Sequence, residues 1–235
     1  MINLKKRSYQ QEILDGDAIP FSDIALNMRE LNTINTLLGG HKITLEGVKN
    51  ILLKITVAQP LTICEIGCGG GDNLNAINNW CVKNNIKVNF IGIDIKPACI
   101  EYARQQYPDM PCKWITSAYE EVCFGKNKPV IIFSSLFCHH FTTVQLVSML
   151  QWMKQHAAGG FFINDLQRHW LAYYSIKILT QLFSKSYLVK NDAPLSVARS
   201  FVLADWQQYL KAAFIQQYSI HWKWAFRYLI VCTND

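Results

Sequence analysis

The chain has 235 residues, with 23 lysines and arginines against 17 acidic residues and a net charge of +6. This length suits a single α/β domain. Half of the residues are apolar and 17% are charged, which excludes an intrinsically disordered chain. No apolar run approaches the roughly 18–20 residues of a membrane-spanning helix. No apolar run follows the basic cluster at residues 5–7 either, so we expect no secretory signal and a cytoplasmic protein.

The positive charge lies mainly in the last third of the chain. Residues 166–235 hold 8 basic and 3 acidic residues, a balance of +5. Such a surface can meet a nucleic acid, an anionic membrane or an acidic substrate, or it can simply face solvent. Because no dense run of lysine and arginine occurs, we expect no stable nucleic-acid partner.

The eight cysteines include no Cys-x-x-Cys pair. A zinc site needs paired ligands at short spacing, and a disulfide framework belongs to small secreted chains. We therefore predict reduced thiols that act as small buried apolar groups, and no metal site.

Residues 1–58 form a predicted helical N-terminal cap. Gly39-Gly40 is expected to end a first helix, and a second helix is expected to begin near Thr44 and to end before Pro60. Their apolar stripes are Leu31, Ile34, Leu37 and Leu38 in the first helix, and Val48, Ile51, Leu52 and Ile55 in the second.

Residues 60–165 alternate short apolar runs with amphipathic stretches, which predicts β-α-β units around a parallel sheet. The predicted strands are 61–66, 88–93, 112–115, 130–133 and 161–163, and the predicted helices are 72–83, 98–107 and 143–156. The inward side chains expected in the last helix are Val144, Val147, Leu150 and Met153.

The remaining 70 residues are predicted to add helices and a hairpin. Residues 166–203 read as a helical insertion, with an aromatic-rich helix at 166–185 and an irregular stretch broken by Pro194. A helix at 204–213 precedes two apolar runs, 214–222 and 225–232, which are close enough in sequence to pair antiparallel. The expected fold is one α/β domain with a Rossmann-like, seven-stranded, mostly parallel sheet and an antiparallel last strand.

A glycine-rich loop follows the first predicted strand and offers bare main chain to a ligand. A phosphate-binding P-loop would end in Gly-Lys-Ser/Thr, which is absent. A dinucleotide site would place a small residue where Asp72 stands. The pattern that fits is acidic-x-Gly-x-Gly-x-Gly, formed by Glu65, Gly67, Gly69 and Gly71.

The second predicted strand ends in Asp94, 23 residues after Gly71. A carboxylate at this place can accept hydrogen bonds from both ribose hydroxyls of an adenosine. The alternative is that Asp94 caps the next helix, a role that aspartate fills well.

These two motifs resemble those of the class I S-adenosylmethionine-dependent methyltransferases, small-molecule branch, over about residues 60–165. The resemblance implies S-adenosylmethionine as the cofactor. Where the family usually has an acid facing the adenine, this chain has Ser117. The residues that the resemblance implies for the cofactor are Glu65, Ile66, Gly67, Cys68, Gly69, Gly71 and Asn73 around its methionine part, Asp94 and Ile95 at its ribose, Ser117 and Ala118 at its adenine, and Ser134 and Ser135 beyond the fourth strand.

The stretch after the fourth strand, Ser-Ser-Leu-Phe-Cys-His-His-Phe, lacks the Asn/Asp-Pro-Pro-Tyr tetrapeptide with which relatives grip an amine. It is similar to enzymes of ubiquinone and menaquinone synthesis and to methyltransferases associated with type III polyketide synthesis, which implies a phenolic or quinone-like acceptor. A histidine suits removal of a hydroxyl proton. We expect His139 or His140 to be this base, oriented by Asp165, although adjacent histidines also serve as caps or packing groups.

The end of the fifth strand should border the acceptor, because strand carboxyl ends form the ligand crevice of open α/β sheets. Asn164, Arg168, His169 and Tyr173 are the expected acceptor-binding residues, and the aromatic helix is either a lid or an ordinary packing element.

The expected activity is methyl transfer to an oxygen, or less favourably a carbon, of an apolar small molecule. Peripheral membrane contact is expected if that acceptor is a lipid. The alternatives are a nucleic-acid-directed methyltransferase and a non-catalytic protein that binds the cofactor.

Overall fold

The computed structural model describes residues 3–56 and 59–234. Of the predicted cap, residues 1, 2, 57 and 58 lie outside the described residues. Two helices precede the sheet, α1 (Phe21–Leu37) and α2 (Gly40–Leu52). Helix α2 begins before the predicted Thr44, because Gly39 takes a left-handed φ of 76° that reverses the chain and lets Gly40 start the helix. Most of residues 3–20 has no regular secondary structure rather than a helix, apart from a short 3₁₀ turn at Ile13–Asp15.

Seven strands form one sheet in the order β3-β2-β1-β4-β5-β7-β6. Strands β1 to β5 are parallel, and β7 runs antiparallel to both β5 and β6. The predicted fold class is therefore confirmed. The strands are β1 (Leu61–Ile66), β2 (Val88–Asp94), β3 (Cys112–Thr116), β4 (Ile131–Ser135), β5 (Gly160–Leu166), β6 (Tyr218–Lys223) and β7 (Arg227–Thr233).

Three helices connect the parallel strands, and their bounds agree closely with the sequence prediction. They are α3 (Asp72–Lys83), α4 (Pro97–Gln106) and α5 (Thr143–His156). The predicted inward position of Val144 is wrong, since its side chain is exposed. The buried stripe of α5 is Leu146, Met149, Leu150 and Met153, whose spacing of three, one and three residues follows a single helix face.

The helical insertion differs most from the prediction. Helix α6 spans Trp170–Phe183, and residues 187–199, predicted to be irregular, form helix α7 (Tyr187–Arg199) with Pro194 inside it. The Ser186 side chain caps α7 by accepting a hydrogen bond from the Val189 N–H. Pro194 is itself buried, so packing of this helix outweighs the roughly 3 kcal/mol that an interior proline costs. Helix α8 (Leu203–Ala212) follows.

The core lies on both faces of the sheet. Helices α5 and α8 pack on one face, and α2 and α3 on the other. Phe133 and Phe162 stack between neighbouring strands β4 and β5 with ring centroids 4.8 Å apart. All eight cysteines are free thiols. Within the described ranges, no helix is both long and apolar enough to cross a membrane.

The contribution of α2 to this core can be tested with Ile51→Ala. Ile51 is fully buried between α2 and the sheet, so its truncation should lower the free energy of unfolding by about 2–5 kcal/mol. Leu53→Ala, at an exposed position just after the same helix, is the matched control and should change it by less than about 0.5 kcal/mol. Equal effects in urea denaturation would contradict the packing described here.

Candidate cofactor and acceptor site

The loop between β1 and α3 requires glycine for steric reasons. Gly67 has a φ of 66°, and a Cβ atom there would lie 2.2 Å from the ring of Phe137. Gly71 has a φ of 79°, and a Cβ there would lie 2.5 Å from Trp114. Both positions combine a left-handed backbone with a neighbour that leaves no room for a side chain. The loop can therefore offer bare main chain to a ligand above the sheet.

Glu65 lies at the end of β1 with one carboxylate oxygen unused. Its Oε1 accepts a hydrogen bond from Asn73 Nδ2 at 2.9 Å. Its Oε2 is buried and has no hydrogen-bond partner among the described residues. Burial raises the pKa of this carboxyl well above its usual value. A cationic group would satisfy the free oxygen, and the ammonium of S-adenosylmethionine has the required chemistry.

Asp94 holds the glycine loop against the end of β2. Its Oδ2 accepts from the Gly69 N–H and its Oδ1 from the Lys96 N–H, both at 2.9 Å. The residue that caps α4 is Lys96 rather than Asp94, so the capping alternative is not what the structure shows. Each carboxylate oxygen can accept a second hydrogen bond. Both oxygens of Asp94 are therefore available to ribose hydroxyls. Burial raises the pKa of Asp94, and the two N–H groups oppose this shift.

Most residues predicted to bind the cofactor line one cavity of about 600 Å³. Ser117 lies at the end of β3, where its hydroxyl donates to the Ala118 carbonyl at 3.0 Å. Three of the residues predicted to bind the cofactor do not line the cavity. Ile66 is in the core, Gly71 faces Trp114, and the Ser134 Oγ lies 3.3 Å from Cys138 Sγ. The predicted residues on the cavity wall are Glu65, Gly67, Cys68, Gly69, Asn73, Asp94, Ile95, Ser117, Ala118 and Ser135.

His139 and Asp165 form a buried pair on the acceptor side of this cavity. His139 follows β4 in a 3₁₀ turn, and its Nδ1 lies 2.8 Å from Asp165 Oδ1. Burial alone would raise the pKa of Asp165, but the contact with His139 holds it below its usual value. With Nδ1–H donating to the carboxylate, Nε2 is the basic ring atom. This Nε2 lies 3.6 Å from Glu12 Oε1.

His140 makes a second pair with the N-terminal part of the chain. Its Nδ1 lies 3.0 Å from Asp15 Oδ1, and its Nε2 lies 3.7 Å from Glu12 Oε2. Burial raises the pKa of Glu12 to about 7, although His140 opposes the shift. Although desolvation acts against it, the hydrogen bond to His140 holds the pKa of Asp15 below its usual range. Glu12 thus faces both histidines and can exchange a proton near neutral pH.

The N-terminal segment (residues 7–16) is fixed over the histidines by α7. Asp192 accepts hydrogen bonds from the Ile13 and Leu14 N–H groups at 2.8 and 3.0 Å. Arg199 donates to the carbonyls of His139 and His140 at 3.1 and 2.9 Å. Arg199 also donates to the Gln10 carbonyl at 2.7 Å, and the Ser196 hydroxyl donates to Glu12 Oε1 at 2.9 Å, so α7 holds Glu12 beside the histidines.

Glu12, His139 and His140 each place one ligand atom within 4.8 Å of the others, so the three side chains could also hold a divalent cation. However, Arg199 Nε lies 3.9 Å from Glu12 Oε1 and already supplies a positive charge there. The sequence prediction of no metal site therefore stays a prediction.

The four residues predicted to bind the acceptor have other roles in the structure. None of them is on the cavity wall among the residues described. Asn164 donates to the Gly40 carbonyl at 3.1 Å and anchors α2. Arg168 is buried and donates to the Leu4 and Ser200 carbonyls. His169 caps α6, and Tyr173 packs edge-on against Tyr174.

Several residues of the cavity wall were not predicted. Glu12 precedes the short 3₁₀ turn Ile13–Asp15 and Asp15 ends it, in a segment with no pattern that the sequence reveals. Arg227, at the start of β7, is buried and donates to Asn35 Oδ1 at 2.8 Å, while its Nε and Nη1 have no partner within the described chain. Burial lowers the pKa of Arg227 to about 10. Helices α1 and α6 supply the apolar wall, with Leu31, Ile34, Ile176 and Leu179.

Comparison with known proteins bears on the family and the fold of the chain. Residues 63–160 match the family model described as a methyltransferase domain. The chain is 33% identical over 86 residues to the malonyl-[acyl-carrier protein] O-methyltransferase of Anoxybacillus flavithermus, and 31% identical over 120 residues to the methyltransferase-like protein 235L of Invertebrate iridescent virus 6. These matches cover 37% and 51% of this chain, but only 32% and 38% of the relatives' lengths.

Solved structures share the fold over most of the chain. The plantazolicin methyltransferase BpumL in complex with S-adenosylhomocysteine superposes with a TM-score of 0.65 at 17% identity, covering 89% of this chain and 88% of that one. Magnesium protoporphyrin IX methyltransferase from Synechocystis with bound S-adenosylmethionine gives 0.56 at 12% identity, covering 95% and 88%.

The recognition made from the sequence is therefore confirmed. Residues 63–160 match a methyltransferase domain, and the chain has the fold of solved S-adenosylmethionine-dependent methyltransferases.

The expected role of Asp94 at the ribose predicts that Asp94→Asn weakens binding of S-adenosylhomocysteine by about tenfold or more, because one acceptor oxygen becomes a donor. Isothermal calorimetry measures the dissociation constant. Asp109→Asn, at an exposed position after α4, is the matched control. A change of less than about twofold in Asp94→Asn would contradict the assignment.

The raised pKa of Glu12 predicts that the contribution of this residue to the free energy of unfolding falls as the pH rises. Between about pH 4.5 and 7 the unfolded chain releases this proton and the folded chain keeps it, so the folded state binds more protons and loses stability as pH rises. Glu12→Gln cannot titrate and should gain about 3 kcal/mol relative to the parent protein over this window. Urea denaturation at pH 4.5 and 7.5 measures the gain. A constant difference between the two proteins would contradict a buried, raised pKa.

Proposed function

We propose that the protein transfers the methyl group of S-adenosylmethionine to an oxygen of an apolar small molecule. The observation that carries this proposal is the single cavity that joins the glycine loop and Asp94 to the paired histidines. The bound cofactor supplies an electrophilic methyl group on its sulfonium. The protein's own residues then have three tasks, which are to hold the acceptor, to exclude water and to remove a proton.

His139 is the proposed base, in contact with the acceptor's hydroxyl. Methyl transfer is an in-line displacement, so a hydroxyl acceptor must lose its proton as the new bond forms. The Asp165 carboxylate, 2.8 Å from Nδ1, stabilises the imidazolium that results. Glu12, 3.6 Å from Nε2, lies where it can pass the proton onward. His140 is the alternative base, held in the same way by Asp15.

The wall beyond the histidines favours an apolar acceptor with a polar oxygen. Leu31, Ile34, Ile176 and Leu179 supply apolar surface, which suits the body of a phenolic or quinone-like molecule. Arg227 adds a buried positive charge whose Nε and Nη1 atoms have no hydrogen-bond partner among the described residues. This favours an acceptor with an anionic or strongly polarised oxygen. The relative from Anoxybacillus flavithermus, named as an O-methyltransferase, supports oxygen rather than carbon as the atom that is methylated.

A methyl-transfer screen tests the activity. Tritiated S-adenosylmethionine is offered in parallel to pentadecylresorcinol, to a short-chain quinol and to total RNA. We expect label in one of the organic-extractable products. Label in RNA alone would favour the nucleic-acid alternative, and binding of S-adenosylhomocysteine with no label in any arm would favour the non-catalytic one.

The base is tested with His139→Asn. Loss of a general base should lower kcat about 10²–10⁴-fold, while the dissociation constant of S-adenosylhomocysteine should change less than about threefold. Asp165→Asn should lower kcat in the same direction, because it removes the charge that stabilises the imidazolium. His221→Asn, on the edge strand β6, is the control. A larger loss of kcat in His140→Asn than in His139→Asn would transfer the role of base to His140.

A further inference from the structure

Helix α6 is unusually exposed for its composition. Only Ala172 and Thr180 of its 14 residues are buried. Leu182 and Phe183 are 70% and 78% exposed. The large apolar side chains that α6 exposes are Trp170, Leu171, Tyr174, Ile178, Leu179, Leu182 and Phe183. Contiguous apolar surface of this kind marks an interaction site rather than a solvated face.

The helix has two apolar sides with different surroundings. Ala172, Ser175, Ile176 and Leu179 line the cavity. Leu171, Tyr174, Ile178 and Leu182 recur at spacings of three, four and four residues, so they form a separate stripe on another side of the helix. One short element therefore separates the acceptor cavity from an exposed apolar surface.

The cavity reaches the surface beside this helix. Leu179 and Trp224 both line the cavity and are both exposed, at 44% and 68%. Trp224 lies in the turn between β6 and β7. An apolar molecule that enters here would pass directly from the exposed face of α6 to the cavity.

The charge of this region is complementary to anionic lipids. Residues 166–191 contain four basic residues and no acidic residue, and of the four only Arg168 is buried, where it pairs with Asp205. Lys177 and Lys185 are exposed, and Trp170 and Tyr174 are aromatic residues of the type found at membrane interfaces. The nearby acidic residue Glu30, on α1, accepts hydrogen bonds from the Ser184 hydroxyl and from the Lys185 N–H. These hydrogen bonds partly satisfy its negative charge.

We propose that α6 docks the protein on the surface of an anionic lipid bilayer and that the acceptor enters the cavity from that bilayer. With 14 residues the helix is about 21 Å long, too short to span a membrane but suited to lie in the interface. The entry route rests on the proposed function, whereas the docking itself does not require it.

Vesicle sedimentation tests the docking with no acceptor present. The full chain is mixed with vesicles of phosphatidylcholine alone and with vesicles that contain about 30% phosphatidylglycerol. We expect binding to the anionic vesicles, weakened by salt. The test variant replaces three exposed residues of α6 that are not on the cavity wall, Ile178→Ser, Leu182→Ser and Phe183→Ser. The matched control replaces exposed apolar residues elsewhere, Val144→Ser, Leu203→Ser and Phe214→Ser.

The α6 variant should bind the anionic vesicles at least about tenfold more weakly, since burial of even one such side chain is worth more than this factor. The control should bind as the parent protein does, and both variants should keep the parent's affinity for S-adenosylhomocysteine. Absence of vesicle binding by the parent protein would overturn the proposal. So would equal losses in the two variants, or a concentration-dependent dimer that only the α6 variant abolishes.

Failure of the proposed function would give a different result. The parent protein would still bind anionic vesicles through α6, but no resorcinol or quinol would be methylated in the presence of those vesicles.

Discussion

The hydrogen bond from the Gly69 N–H to Asp94 is the contact on which the candidate cofactor site depends. It fixes the glycine loop after β1 to the end of β2 at 2.9 Å, and the Lys96 N–H fixes the other oxygen of the same carboxylate. Because the loop has no side chain at Gly67 and Gly71, its backbone can approach both the neighbouring rings and a ligand. The shape of the site is therefore set by backbone geometry and by one buried carboxylate.

A second buried network organises the acceptor side. Asp165 and Asp15 each hold the Nδ1 of one histidine, and Glu12 faces both Nε2 atoms. Arg199 donates to both histidine carbonyls and so links the network to α7. Buried charges are tolerated when each has a partner. This pairing explains why an N-terminal segment with little apolar content is held in place over the site.

Helix α6 connects the two aspects of the proposed function. One side forms the apolar wall of the cavity and another side is exposed to the surroundings. A protein that acts on an apolar acceptor must obtain it from an environment where it is soluble, and a lipid bilayer is such an environment. Under the two proposals, the expected lid and the expected membrane contact are two uses of one helix.

The sequence by itself determined the five parallel strands and their alternation with helices, the glycine loop, Asp94 and the paired histidines, because each depends on local spacing and on residue chemistry. Helices α3 and α5 were predicted to the residue for the same reason. Only the tertiary structure decided that 187–199 is helical, since burial of Pro194 outweighs its local preference. It also decided that Asn164 and Arg168 anchor main chain, and that Glu12, Arg199 and Arg227 surround the site. Those contacts join residues between 32 and 192 positions apart, and local sequence patterns carry no information about such pairs.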